Sequence, residues 1–315
     1  MRLVFAGTPS AAVPTLRRLA AEHEILAVVT RPDAPLGRKR VLTPSAVAAA
    51  AVELGLPVIK AARLDDEVTA RISALEPELG VIVAYGGLVR EPLLSTPERG
   101  WINLHFSLLP RWRGAAPVQR ALIAGDDRLG ASVFQLVPEL DAGDVFAMRE
   151  ADIPRDATAD AALEALATFG ADLTSDVVEG IDAGTLHAEP QTGEATLAPK
   201  LTLDDGALDW SQPASQVFAR YRGVTPEPGA HTIVGGQRVK ILSATIAADG
   251  DTASGDLAPG GLAPGEIVAT KAALLIGTAD APLAVTRLQP AGKGAMNATD
   301  WWRGLRDTDG LRAGA

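Results

Sequence analysis

Short apolar runs alternate with helical patterns through the first half of the chain. Residues 3–6, 25–30, 57–60, 79–84 and 101–106 are short runs, mostly apolar from end to end, as expected of strands buried on both faces. Helical patterns lie between or after them, near residues 11–21, 65–75 and 116–124. Pro14 falls in or close to the first turn of its helix, where proline is tolerated. Thr43-Pro44 supplies an N-cap and an N1 proline for a further helix that ends near Gly55. Such alternation predicts βαβ units: an α/β domain, doubly wound, with a mostly parallel sheet covered on both faces.

Residues 131–137 and 146–153 read as two later strands, and the turn over residues 138–144 joins them. An Ala-rich helix is expected over residues 158–181. Residues 184–212 are rich in Gly, Pro, Thr and Asp, which suggests a connector. Past Pro213 the pattern changes to one helix near 214–222 and short strand-like runs at 231–234, 239–247, 265–270, 273–277 and 283–288. Regularly spaced short strands point to a small β-barrel or sandwich, and a barrel resembling an OB fold is the architecture expected. The expected organisation is therefore an N-terminal domain over residues 1–190, a linker over 191–212 and a C-terminal barrel over 213–315. Residues 248–264 read as a low-complexity loop.

Candidate chemistry sits at the end of one strand. In Trp101-Ile102-Asn103-Leu104-His105 the side chains alternate faces, so Asn103 and His105 point the same way. In a parallel α/β domain, ligands bind at the carboxyl ends of strands. Leu140-Asp141-Ala142-Gly143-Asp144 brings a carboxylate on a later turn. An amide, an imidazole and a carboxylate are the equipment for moving an acyl group onto an amine: an oxyanion donor, a proton carrier and a group that tunes it. Asp144 reads as a turn cap. Tyr85 reads equally as a pocket wall or a core edge. His23, His187 and His231 read as surface or packing residues, and Trp301-Trp302 as a buried anchor. Gly7-Thr8-Pro9 is not a dinucleotide fingerprint.

Composition narrows the picture. Cysteine is absent, which excludes disulfides, thiolate zinc sites and a Cys nucleophile. No apolar stretch approaches a membrane span, and a cytoplasmic monomer is expected. The net charge of −10 argues against non-specific nucleic-acid binding. That charge belongs wholly to residues 1–205, since residues 206–315 carry equal numbers of basic and acidic side chains. Arg38-Lys39-Arg40, with Arg31 upstream, is the clearest positive site. It reads either as a solvated surface loop or as a basic arm for a polyanion, whose grip would fall steeply with salt.

Asn103-x-His105-x-Ser107-Leu108-Leu109-Pro110 with Arg113-Gly114, together with Leu140-Asp141-x-Gly143-Asp144, resembles the folate-dependent formyltransferases. Phe5-Ala6-Gly7-Thr8-Pro9, the Gly37-Arg38-Lys39-Arg40 loop and Gly292-Lys293-Gly294-Ala295-Met296 extend the likeness over nearly the whole chain. They are similar to the branch that acts on aminoacylated tRNA. The resemblance implies that Asn103, His105 and Asp141 are catalytic. It implies that Ser107, Leu108, Leu109 and Pro110 contact the folate, and that Arg38, Lys39 and Arg40 meet tRNA. The formyl donor would be 10-formyltetrahydrofolate, the acceptor initiator Met-tRNA, and no metal would be required. Asp141 is expected to hold His105 charged. Rival acceptors in the same family are an amino-sugar nucleotide and a purine-precursor ribonucleotide. A rival of another class is a non-catalytic RNA-binding protein. Glu227 departs from the family pattern, which commonly has an aromatic residue there.

Overall fold

The computed structural model describes residues 1–37, 40–247 and 261–314. Within them the chain forms two compact units, one of residues 1–117, 128–153 and 163–199, the other of residues 118–127, 154–162 and 200–314. The linker is expected over residues 191–212. Its residues through Pro199 belong to the first unit and those from Lys200 to the second.

The elements follow the apolar pattern closely. In order they are β1 (Arg2–Gly7), α1 (Val13–Glu22), β2 (Glu24–Thr30), β3 (Ala34–Leu36), β4 (Val41–Thr43), α2 (Ala46–Glu53), β5 (Val58–Lys60), α3 (Asp66–Ser73), β6 (Leu79–Val83) and β7 (Trp101–His105). Then come α4 (Pro117–Ala124), β8 (Leu129–Gln135), β9 (Val145–Ala151) and α5 (Ala159–Asp182). In the first unit β5, β2, β1, β6 and β7 lie side by side in that order, all parallel. β8 and β9 continue the sheet antiparallel. The interior of this sheet is apolar: Leu3, Val4, Phe5, Val28, Val29, Val81 and Val83 are fully buried. Gly80 is required beneath the indole of Trp101, because a Cβ there would lie 2.2 Å from the ring.

Two local readings change. The second helix starts at Ala46, capped by Ser45 Oγ, which accepts the Ala48 N–H at 3.0 Å. Thr43 instead ends β4, paired with Ala34, so the first serviceable hydroxyl after the hairpin takes the cap. The surface loop or arm read around Arg38-Lys39-Arg40 is flanked by the paired strands β3 and β4, whose Leu36, Val41 and Leu42 are exposed. Their exposed apolar residues carry no buried face, so no hydrophobic period marked them.

The second unit continues with α6 (Ala214–Val224), β10 (His231–Val234), β11 (Gln237–Ile246), β12 (Ile267–Ala269), β13 (Leu274–Ile276), β14 (Leu283–Pro290), β15 (Met296–Asn297) and α7 (Ala298–Arg303). Its antiparallel sheet runs β10-β11-β14-β13-β12, with β15 on β14. Val239, Ile241, Leu274, Leu283, Val285 and Leu288 fill its core together with Trp301. Arg312 bridges to Glu266 and Ala313 to Val234, next to β12 and on β10, so the chain's last described residues draw the two sheet edges together. Of the barrel and the sandwich that the strand spacing allowed, this curled sheet is the barrel-like one. Trp301 is buried as expected of an anchor. The low-complexity reading falls on residues 248–264, most of which lie outside the described residues. No helix among the described residues is long and apolar enough to cross a membrane.

Candidate active site

β7 is held on both sides, and this fixes where its polar residues point. Asn103 stands opposite Ile82 of β6 and Phe134 of β8, and His105 opposite Ser132. The Phe134 ring meets the imidazole edge-on, with centroids 6.3 Å apart. Past β7 the chain turns back sharply. Ser107 Oγ donates to the Arg111 carbonyl at 2.6 Å. Ser132 Oγ donates to the Ser107 carbonyl at 2.7 Å and accepts the Leu109 N–H at 3.2 Å. The returning chain sets the Trp112 carbonyl 2.8 Å from His105 Nε2.

The Asp141 turn approaches from the other side. Asp141 Oδ2 accepts the Gly114 N–H at 2.7 Å and lies 3.8 Å from His105 Nδ1. Asp141 has φ +46°, a left-handed backbone that aspartate tolerates better than most residues. Gly143 is obligatory, since a Cβ there would fall 1.8 Å from the Gln135 carbonyl oxygen. The carboxylate and imidazole are both well buried, with side chains 12% and 7% exposed.

Asn103, His105 and Asp141 open together onto one cavity of about 490 Å³. That volume lies in the range of small-molecule sites, roughly 300–1,000 Å³. Val89, Leu104, Phe106 and Leu136 give it an apolar wall, and Leu88 and Leu140 remain exposed along it. The Asn103 amide has no hydrogen-bond partner among the described residues and stands available to a ligand. No group of three or more His, Asp or Glu able to hold a metal stands among the described residues.

His105 differs from expectation in charge. Burial pushes the imidazole below its ordinary 6.5, and the opposing pull of Asp141 and of the Trp112 carbonyl does not overcome it. A carbonyl can only accept, so Nε2 carries the hydrogen of the neutral ring and Nδ1 is left as an acceptor. Asp141 therefore does not raise the ring above its ordinary value in the free protein. Desolvation by the surrounding core outweighs one carboxylate at 3.8 Å.

The other predicted residues are placed less directly. Ser107, Leu109 and Pro110 are buried and Leu108 partly so, and none of the four lines the cavity. Their bonds shape the return loop instead. Arg38 and Lys39 lie outside the described residues, and Arg40 is exposed beside the hairpin. Tyr85 is both things the sequence allowed: it lines the cavity and is buried, its hydroxyl donating to the Ala61 carbonyl at 3.1 Å. Burial pushes its phenol up, against the pull of Arg31. The Asp144 side chain is exposed and its carbonyl accepts the Gln135 N–H. His187 is exposed, while His231 is buried against the Gly229 carbonyl.

Two contributors escaped sequence reasoning. The wall over residues 82–89 runs from the end of β6, and Tyr85 was the one residue of it that the sequence singled out. Gln191 is the other. Its Nε2 donates to the carbonyls of Asp141 and Gly143, both at 2.8 Å, and no local pattern marks it.

Known proteins match the chain along most of its length. Residues 1–178 match the family model described as formyl transferase, and residues 200–306 the model of the formyl transferase C-terminal domain. The methionyl-tRNA formyltransferase of Clavibacter sepedonicus is 61% identical over 310 residues, covering 98% of this chain and 99% of the relative. Among solved structures, the N-formyltransferase of Helicobacter canadensis, in complex with folinic acid and dTDP-3-aminofucose, is 15% identical. It superposes with a TM-score of 0.67, covering 90% of this chain and 98% of its own. The methionyl-tRNA formyltransferase of Clostridium thermocellum does so with a TM-score of 0.57 at 15% identity, over 78% of this chain and 94% of its own. At such identities these two structures bear on fold alone.

Proposed function

The chain belongs to the formyl transferase family, and on that premise we propose that Asn103, His105 and Asp141 perform its formyl transfer. The protein is a methionyl-tRNA formyltransferase: it moves the formyl group of 10-formyltetrahydrofolate onto the α-amino group of methionine carried by initiator tRNA. The observation that carries the assignment of residues is the convergence of these three side chains on one cavity.

The cavity suits a folate. Its apolar wall can pack flat aromatic rings, and its polar end holds the three residues that handle the transferred group. The donor supplies an activated one-carbon unit when bound. Asn103 Nδ2–H donates to the formyl oxygen as negative charge builds on it, an interaction worth about 3 kcal/mol when such a donor is well placed. His105 Nδ1 and Asp141 Oδ2 are two acceptors 3.8 Å apart, near enough for the carboxylate to stabilise a positive charge on the ring. His105 takes the proton lost by the attacking amine, and the Asp141 carboxylate stabilises the cation so formed. As the new N–C bond forms and the old one breaks, His105 returns the proton to the departing folate nitrogen. Proton transfer of this kind contributes roughly 10²–10⁴-fold. His105 thus enters the reaction as a base, and becomes the charged acid of the sequence-based reading only after the amine has attacked.

Formyl transfer is assigned to the first unit, and the barrel together with Arg38, Lys39 and Arg40 to tRNA. The protein would work as a cytoplasmic monomer. Incubating it with 10-formyltetrahydrofolate and either charged initiator tRNA, charged elongator tRNA or an amino-sugar nucleotide tests the reading. Formylation of the initiator tRNA in strong preference to the other two is expected. Preference for the sugar nucleotide, or no turnover at all, would overturn it.

A further inference from the structure

Both partners of the His105 ring are held by the same irregular stretch, residues 189–198. Toward Asp141, Gln191 Nε2 donates to the carbonyls of Asp141 and Gly143, while its Oε1 accepts from Arg113 Nη2 at 2.6 Å and Nε at 3.2 Å. Arg113 precedes Gly114, whose N–H binds the Asp141 carboxylate. Toward Trp112, Thr196 Oγ1 accepts the Trp112 N–H at 2.9 Å, and the Thr196 carbonyl accepts the Arg113 N–H at 2.9 Å. The stretch is itself tied down at both ends. Glu189 exchanges backbone bonds with Val145, and the Ala198 N–H donates to the Arg113 carbonyl at 2.7 Å.

One amide therefore joins the two loops that must agree for the carboxylate to meet the imidazole. The Asp141 backbone is left-handed, a conformation that persists only where its surroundings impose it. Gln191 caps two carbonyls of that turn and one guanidinium of the facing loop, so every hydrogen-bonding atom of its amide is spent on the arrangement. Only an amide fits: a carboxylate would serve Arg113 but repel both carbonyls, and an alkyl group would serve neither.

We propose that Gln191 is a positioning residue for formyl transfer, locking the Asp141 turn to the Arg113-Gly114 loop so that the carboxylate stays beside His105. The proposal rests on the functional reading above. Among the described residues, Asp141 is the charged group and the Trp112 carbonyl the dipole that act on the imidazole.

The test compares the full-length wild-type protein with Gln191→Ala, Gln191→Glu and Leu197→Ala, the last at an exposed position of the same stretch. Formyl transfer to charged initiator tRNA is measured against pH, and thermal melting gives the folded fraction. Gln191→Ala is expected to lower kcat about 10- to 100-fold, the scale of a misplacement near 1 Å. KM should stay near the wild-type value, and the acid limb should move to lower pH as Asp141 leaves the ring. Gln191→Glu should lose at least as much, and Leu197→Ala nothing. Titration of the His105 imidazole by NMR reads the same coupling without turnover and should shift downward in Gln191→Ala. An unmoved imidazole titration, or a Gln191→Glu variant as active as wild type, would overturn the proposal. A wild-type protein that formylates no charged tRNA would overturn the functional reading instead, while the imidazole titration still decides the role of Gln191.

Discussion

β7 and the stretch over residues 189–198 both serve His105, by opposite means. β7 places Asn103 and His105 through backbone ladders to β6 and β8, so the side chains inherit their direction from the sheet. The stretch places Trp112 and Asp141 mainly through side chains, Thr196 and Gln191, supplemented by scattered backbone bonds. The lesson is one of division: residues proposed to touch the transferred group stand on the rigid element, and residues proposed to adjust them stand on the irregular one. Precision is cheaper on a ladder, where no single side chain carries the geometry.

The comparison breaks most clearly at its centre. His105→Ala or Asp141→Ala should cost about 10²–10⁴ in kcat, with little change in folate affinity; near-normal turnover in either variant would remove the proton-transfer role. Asn103→Ala should cost roughly 10²–10³ in kcat, the loss seen for one oxyanion donor. A rise in KM at constant kcat would recast the amide as a binding group. On the irregular side, Thr196→Val removes the acceptor of the Trp112 N–H, and a loss of about tenfold is expected from one buried hydrogen bond. If Thr196→Val cost as much as Asn103→Ala, the division between touching and adjusting residues would fail.

The smallest effect concerns pH. The folded protein keeps His105 neutral below the ordinary 6.5 because burial opposes its charge. As pH falls through 6.5 the unfolded chain takes a proton that the folded one refuses, so this histidine's contribution to stability is full above that pH and is lost on the acid side. The same depression keeps the proton-accepting ring available, and the acid limb of kcat/KM should lie below pH 6.5. A limb clearly above that value would mean that Asp141 prevails over burial once substrate is bound.

Much of the fold and part of the site were legible in linear order. The parallel strands announced themselves as continuous apolar runs, because both of their faces are buried. That Asn103 and His105 share a face followed from strand period, while the resemblance to a known family, and no local pattern, joined Asp141 to them. The β3–β4 hairpin was not legible, since its apolar residues stay exposed and leave no buried face to detect. Gln191 was invisible for a related reason. It lies in a stretch rich in Gly, Pro and Thr, and its partners stand 50 and 48 residues away.

By itself, then, the order of residues determined which segments are buried, what period each obeys and which chemical groups share a strand face, because burial and alternation are local consequences of side-chain type. Only the tertiary structure decided the charge of His105, the cavity's wall and the service of residues 189–198. Desolvation and long-range hydrogen bonds depend on what packs around a group, and no neighbour in sequence reports that.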